Sequence, residues 1–208
     1  MQLLQFTVGM VMTNCYMIFN EETKEAALID PGDQADCLLE QCRRRGLTLK
    51  ALLLTHGHFD HILAVPALQR ETGASVYAAR AEAALLADSQ ANLSGSWQRC
   101  PLTLTPDVLL EDREEFTLLG SRMQMILTPG HTAGSCCYYL PEEKWLFSGD
   151  TLFCESYGRT DLPTSQPAEI GRSIREKLLI LPQETAVYPG HNETSTIEHE
   201  KKYNPAAC

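Results

Sequence analysis

The sequence predicts a layered α/β domain, and three observations lead there. Apolar runs of strand length alternate with segments of helical period. The opening thirty residues are dominated by strand patterns, and no repeat, low-complexity tract or Pro/Gly-rich linker divides the chain. The 208 residues, 44% of them hydrophobic and 21% charged, suffice for one domain over 1–208 with a substantial core.

Residues 3–8, 15–19 and 26–29 read as strands, and Asp30-Pro31-Gly32 as a turn. A helix is predicted over about 34–45. Asp33 can cap it, Ala35, Leu38, Leu39 and Cys42 share one face, and Gly46 ends it. Its last turn carries the one basic run, Arg43-Arg44-Arg45, which suits the negative end of the helix dipole. Ala51-Leu52-Leu53-Leu54 fits a strand buried on both faces. A helix over 62–71, stopped by Gly73, and a strand at 75–79 should follow. Residues 81–106 are the least patterned stretch: an Ala-rich helix near the start, then Trp97 and little periodicity. Further strands are expected at 123–127, 136–140, 145–147 and 185–188, with a helix at 168–179 placing Ile170, Ile174 and Leu178 at four-residue spacing.

Bulk chemistry narrows the function classes. A formal charge of −10 and a pI near 5.0 argue against a nucleic-acid partner, because phosphate binding needs a Lys/Arg surplus. No apolar run approaches the ~20 residues of a membrane span, and Met1-Gln2-Leu3-Leu4-Gln5-Phe6 has no secretory pattern, so a cytoplasmic protein is expected. Eight cysteines (15, 37, 42, 100, 136, 137, 154 and 208) form no CxxC pair and read as reduced, mostly core thiols. Nothing in the sequence specifies an oligomer.

The chemistry-bearing residues fall in four motifs. Thr55-His56-Gly57-His58-Phe59-Asp60-His61 follows the apolar run 51–54, and Pro129-Gly130-His131-Thr132 follows 123–127. Ser148-Gly149-Asp150-Thr151 follows 145–147, and Pro189-Gly190-His191 follows 186–188. Residues just past strand ends collect on one edge of an α/β sheet, so these motifs can converge. Neutral imidazole and carboxylate suit divalent ions such as zinc, with iron or manganese also acceptable to the same donors. His-x-His can place two rings on one ion while Asp60 and His61 reach a second. A carboxylate such as Asp150 can bridge two ions, which at about 3.5–4 Å apart share and acidify a water. The glycines before His131, Asp150 and His191 permit the turns that aim these side chains. One histidine after a strand is usually unremarkable, but three histidines and an aspartate across residues 56–61 are costly to bury without a metal. His199 belongs to no such motif and reads as surface.

Thr-His-x-His-x-Asp-His, Gly-His-Thr, Gly-Asp-Thr-Leu-Phe and Pro-Gly-His together resemble the metallo-β-lactamase superfamily, from the Asp30-Pro31-Gly32 turn to Tyr203-Asn204-Pro205. The resemblance implies a four-layer αβ/βα sandwich with a binuclear site along one edge. It implies His56, His58 and His131 as ligands of a first metal, Asp60, His61 and His191 as ligands of a second, and Asp150 as the bridge. Within the superfamily the chain is most similar to the glyoxalase II-like branch of hydroxyacylglutathione hydrolases, in its short bacterial form. Gly149-Asp150-Thr151-Leu152-Phe153 and Gly158-Arg159-Thr160-Asp161-Leu162-Pro163 carry that similarity. True β-lactamases commonly have a cysteine at the bridging position, so Asp150 counts against antibiotic hydrolysis. Full-length glyoxalase II adds a C-terminal helical region that helps bind glutathione. Here 17 residues follow His191, among them Lys201 and Lys202, so the hydrolytic site is expected to be complete and the glutathione-recognition part is not.

The expected activity is hydrolysis of a small thioester, with a metal-bridging hydroxide attacking the carbonyl and Asp60 orienting it. Arg159 is expected either to meet an acidic substrate group or to pair with a nearby carboxylate. Tyr157 and Trp97 are candidates for the pocket wall, and Cys136 and Cys137 for the strand core. Two other readings fit the motifs: a mononuclear-iron persulfide dioxygenase using His56, His131 and Asp150, and a non-catalytic metal-binding protein. Nucleases of the superfamily fit less well, given the acidic charge.

Overall fold

The computed structural model describes residues 1–97 and 101–207. The reading of Cys100 and Cys208 as reduced thiols lies outside those residues; the other six cysteines are free. The first sheet runs in the order β1 (Gln2–Val8), β2 (Thr13–Phe19), β3 (Glu25–Ile29), β4 (Thr48–Leu53), β5 (Ser75–Ala79) and β6 (Val108–Leu110). The second contains β7 (Glu115–Leu118), β8 (Ser121–Leu127), β9 (Cys136–Leu140), β10 (Trp145–Gly149), β13 (Ala186–Pro189) and β14 (Ser195–Thr196), in spatial order β14-β13-β10-β9-β8-β7. A short hairpin, β11 (Leu152–Phe153) and β12 (Ser156–Tyr157), stands apart.

Strand alternation sorts side chains into three cores, and these cores define four layers. In β4, Ala51 and Leu53 face the second sheet, whereas Leu52 faces the outer helices. In β9, Cys136 and Tyr138 join the core between the sheets, and Cys137 and Tyr139 join the opposite core. Helices α1 (Ala35–Arg45) and α3 (Val65–Thr72) cover the first sheet through Leu38, Leu39, Val65 and Leu68. Helices α6 (Pro167–Ser173) and α7 (Ile197–Tyr203) cover the second through Ile170 and Ile197. The layers are therefore helix, sheet, sheet, helix, as the resemblance implies. Each buried aliphatic side chain contributes roughly 1.5–3 kcal/mol relative to exposure, so the alternation strongly fixes strand register. Among the described residues no helix is long and apolar enough to cross a membrane.

Several local expectations change. The helix expected over 62–71 is two helices, α2 (Phe59–Ile62) and α3, because Pro66 sits in the first turn of α3, where its missing N–H costs nothing. Asp33 does not cap α1. Gln34 occupies the cap position with φ 59° and no side-chain cap bond, and Asp33 Oδ1 instead accepts from the Gln34 N–H at 2.6 Å. The helix expected over 168–179 begins as α6 and continues as a π-helix over Ile174–Leu178, with Ile170, Ile174 and Leu178 buried as spaced. The Ala-rich stretch forms a 3₁₀ turn, Arg80–Glu82, and then α4 (Ala83–Leu86), followed by the single turn α5 (Ser94–Trp97). Strands β6, β7, β11, β12 and β14 and helix α7 were not anticipated.

Candidate metal centre

Each motif leaves the end of a strand: β4 for His56 to His61, β8 for His131, β10 for Asp150 and β13 for His191. The four ends converge. Ligand atoms of His56, His58 and His131 lie within 4.8 Å of one another, and those of Asp60, His61 and His191 do the same. Asp150 stands between the groups: Oδ1 is 3.5 Å from His61 Nε2, and Oδ2 is 3.5 Å from His131 Nε2 and 3.7 Å from His191 Nε2. All seven residues expected at the site are therefore brought together, Asp150 in the position a bridge would need.

The donor set fits divalent ions. His56 Nε2, His58 Nε2 and Asp150 Oδ1 are buried with no hydrogen-bond partner, a costly state unless a cation satisfies them. His58 Nδ1 and His131 Nε2 face each other at 2.8 Å, and His61 Nε2 and His191 Nε2 at 3.4 Å. The glycine expectation holds in part. Gly130 and Gly149 do adopt positive φ, 155° and 49°. Gly190 is needed for space: a Cβ there would lie 2.3 Å from Asp150 Oδ1.

Two of the residues that hold these side chains in place, Asp30 and Glu82, are assigned no part in the site by the sequence motifs. Asp30 accepts from the Thr55 N–H at 2.8 Å, from Thr55 Oγ1 at 2.6 Å and from His61 Nδ1 at 3.0 Å. The turn that carries it needs Gly32, whose Cβ would strike the Asp60 carbonyl oxygen at 1.7 Å. Glu82, 1% exposed, accepts from the Gly57 N–H at 2.9 Å and from Thr132 Oγ1 at 2.9 Å, and so ties the His-x-His loop to the Gly-His-Thr loop. His131 Nδ1 donates to the Arg159 carbonyl at 2.8 Å. Such outer partners set ring tautomer and orientation. The only sequence signals for Asp30 and Glu82 were single carboxylates, one in a turn and one in the unpatterned stretch.

Electrostatics divide the centre. Burial and the neighbouring His131 push His58 down to about 3, and burial with the other histidines drives His56 low as well. In the second group burial is overcome. Burial alone would lower His61, but Asp60, Asp150 and Asp30 raise it to about 10. His191 is also raised, burial being outweighed by its bond to Asp60 and by Asp150. Burial alone would raise Asp60, but His61, His191 and the Thr13 hydroxyl, 3.0 Å away, hold it well below the usual carboxylate range.

The centre opens into a cleft of about 420 Å³ walled by Val11, Phe59, Leu93, Trp97, Phe153 and Leu162. Trp97 stacks on Phe59 at 5.9 Å and so lines the cleft as expected. Tyr157 is not part of the wall; it lies exposed on β12. Arg159 reaches the rim, and its guanidinium forms a two-pronged pair with Asp161 at 2.6 and 2.7 Å. Cys136 and Cys137 are core residues whose thiols burial pushes up, Cys137 to about 12.

Comparison with known proteins agrees with this architecture. A sequence model of the metallo-β-lactamase superfamily matches residues 8–191. The chain belongs to the metallo-β-lactamase superfamily. It is 35% identical to the probable metallo-hydrolase YqgX of Bacillus subtilis, covering 95% of this chain and 93% of that protein. It is 37% identical to the hydroxyacylglutathione hydrolase GloC of Haemophilus influenzae, covering 92% and 91%. Among solved structures it is similar to the B3 metallo-β-lactamase BLEG-1, with TM-score 0.93, 38% identity and 99% of each chain covered. It is also similar to TTHA1623 in a di-iron-bound form (TM-score 0.83, 36% identity, 97% and 98% covered). ETHE1 from Myxococcus xanthus gives TM-score 0.81 at 31% identity, covering 100% of this chain and 85% of that one. These likenesses, with the His/Asp clusters, support a metal-dependent hydrolase using divalent ions.

Proposed function

We propose that the chain hydrolyses a small thioester, hydroxyacylglutathiones being the first to test, with two divalent ions held by the seven residues. The observation that carries this reading is the placement of Asp150 between two three-residue donor groups at the base of one apolar-walled cleft. His56, His58 and His131 would hold one ion, Asp60, His61 and His191 the other, and Asp150 both. Zinc is the leading candidate, and the likeness to a di-iron protein keeps iron in view. When bound, such ions lower the pKa of a shared water and polarise the carbonyl oxygen.

The protein's own groups supply the rest. Asp60 stays ionised because His61, His191 and Thr13 face it, so its carboxylate can accept a hydrogen bond from the attacking water and orient it. Val11, Phe59, Leu93 and Trp97 keep bulk water from one side of the cleft, which strengthens every charge interaction inside it. A thiol leaving group needs little protonation, so thioester cleavage makes no demand for a dedicated acid. Zinc-loaded protein should release thiol from S-lactoylglutathione, a flat trace removing glutathione thioesters from consideration.

Two other readings have specific support. The likeness to ETHE1 favours an iron-dependent persulfide dioxygenase using His56, His131 and Asp150; one iron per chain with sulfur-dependent oxygen uptake would establish it. The likeness to BLEG-1 favours β-lactam hydrolysis and weakens the argument from Asp150 against it; cleavage of a chromogenic cephalosporin tests this directly.

A further inference from the structure

A second group of metal-ligating side chains lies outside the histidine centre, where the β11–β12 hairpin turns. Cys154 and Glu155 occupy that turn, and His199 reaches it from α7. His199 Nε2 lies 2.9 Å from Glu155 Oε1, and one ligand atom from each of the three residues falls within 4.8 Å of the others. Cys154 and His199 border an open pocket of about 300 Å³, with Thr194, Ser195 and Thr196. We propose that Cys154, Glu155 and His199 form a separate site for one borderline or soft divalent ion, of the zinc or cadmium class, that straps the hairpin to α7.

The donor types select the ion. Thiolate, imidazole and carboxylate are the ordinary zinc donors, and a thiolate excludes the hard cations that all-oxygen sites prefer. With three protein donors, two of them bordering an open pocket, a fourth position is left for water. His199 and Glu155 already share a 2.9 Å hydrogen bond, so their two donor atoms are held side by side where one ion can take both.

The scaffold around these residues is already assembled. The Glu155 N–H donates to Glu200 Oε2 at 3.0 Å, and Glu200 is fully buried. Asn204 Nδ2 donates to the Ser156 carbonyl at 2.9 Å and to Glu200 Oε2 at 2.7 Å. Thr196 Oγ1 caps α7 by accepting from the His199 N–H at 3.2 Å, and the His199 ring rests against Tyr203 with centroids 4.7 Å apart. Hairpin and helix are thus held together by their own bonds, so an ion orders few additional groups and the cost of assembling the site is low.

Charge supports a cation over a reactive thiol. Burial together with Glu200, Glu193 and Glu155 pushes the Cys154 thiol up, which makes it a poor free nucleophile. The same carboxylates attract a divalent ion, and the ion stabilises the thiolate. Occupancy would also bear on the cleft, because Phe153 precedes Cys154, lines the cleft and stands edge-on to His191 at 6.2 Å.

The histidine centre contains no sulfur ligand, which makes the test selective. Titration with cadmium of the full chain, its histidine centre first loaded with zinc and loosely held metal removed, should produce a thiolate-to-metal charge-transfer absorption saturating at one equivalent. Native mass spectrometry should show one more ion per chain than in C154S. C154S should abolish the absorption and keep the ions of the histidine centre, H199A should weaken cadmium binding at least tenfold, and C37S, at an exposed cysteine far from the hairpin, should leave the band intact. No absorption in the parent protein, an absorption that survives C154S, or equal ion counts in parent and C154S would each overturn the proposal. None of these readouts depends on thioester hydrolysis, so failure of either proposal leaves the other standing.

Discussion

The two halves of the histidine centre are built on opposite electrostatic plans. His56, His58 and His131 are almost completely buried, burial holds His56 and His58 below the ordinary histidine range, and all three are oriented by groups around them: the Glu82 clamp for their loops and the Arg159 carbonyl for the His131 ring. Asp60, His61 and His191 carry compensating charges within the group itself, and Asp60 and His191 remain partly open to the cleft. The first half is organised by its neighbours alone, whereas the second combines its own ion pairs with support from Asp30 and Thr13. A site of this kind can keep one ion firmly placed while leaving the other side accessible to water and substrate.

Asp150 is the residue both halves share, and its loss should have the largest effect. D150A should lower the bound metal below two ions per chain and reduce kcat/KM by roughly 10³-fold, the scale of several kcal/mol of transition-state stabilisation. Metal analysis beside thioester kinetics checks both. Retention of two ions with full activity would remove Asp150 from the bridging role.

The next effects should separate the halves. Outer partners of metal ligands typically matter by about 10–100-fold in affinity or activity. E82Q, which leaves one acceptor oxygen where the carboxylate offered two to Gly57 and Thr132, should weaken the ion at His56, His58 and His131 by that amount. D30N should weaken the ion at Asp60, His61 and His191 instead. Competition with a chelator gives both affinities. Equal loss at both positions in either variant would show that the halves do not behave independently.

A smaller effect is expected in the pH dependence of the metal-free protein. His61 is raised from 6.5 to about 10, burial being outweighed by its three carboxylates. Its contribution to stability is therefore present below pH 6.5 and is lost as pH rises through about 10. His58 has the opposite sign. Lowered to about 3 by burial and His131, it favours the fold above its ordinary value and costs stability as pH falls from 6.5 toward 3. Denaturation midpoints of chelator-treated protein across pH 4–10 should show both slopes. H58Q should flatten the acid one, and D30N the alkaline one.

The contrast also explains which parts of the site were legible in the sequence. His56 to His61, His131, Asp150 and His191 could be read because each stands beside an apolar strand run and carries a residue type that is expensive to bury alone. The same rule located β4, β8, β9, β10 and β13. It failed for β6, β7 and β14, which have two to four residues and are too short to display a period. Glu82 and Asp30 were invisible for a different reason. A lone carboxylate acquires its role only when tertiary folding brings Gly57, Thr132, Thr55 and His61 to it, and no local pattern encodes that meeting. His199 was read as surface, which its partly exposed side chain bears out, and it is the packing of α7 against the β11–β12 hairpin that places it beside Glu155 and Cys154.

The smallest predicted effect lies at the cleft rim, where the second half of the centre faces incoming substrate. Arg159 was expected either to meet an acidic substrate group or to pair with a carboxylate, and in the structure its guanidinium pairs with Asp161 through two bonds, both side chains exposed. An exposed pair of this kind contributes little to stability, so D161N should leave the melting temperature unchanged within error. It would, however, release the guanidinium beside the cleft. For a thioester carrying a carboxylate, KM should then fall a few-fold while kcat holds, and for a neutral thioester neither should move. Added salt should erase the difference, because rim charges act through a screened field. If KM for the anionic substrate is unchanged, the guanidinium serves only to hold the Gly158 to Asp161 loop, and through it the carbonyl that orients His131. R159A would then disturb the first metal group more than substrate binding.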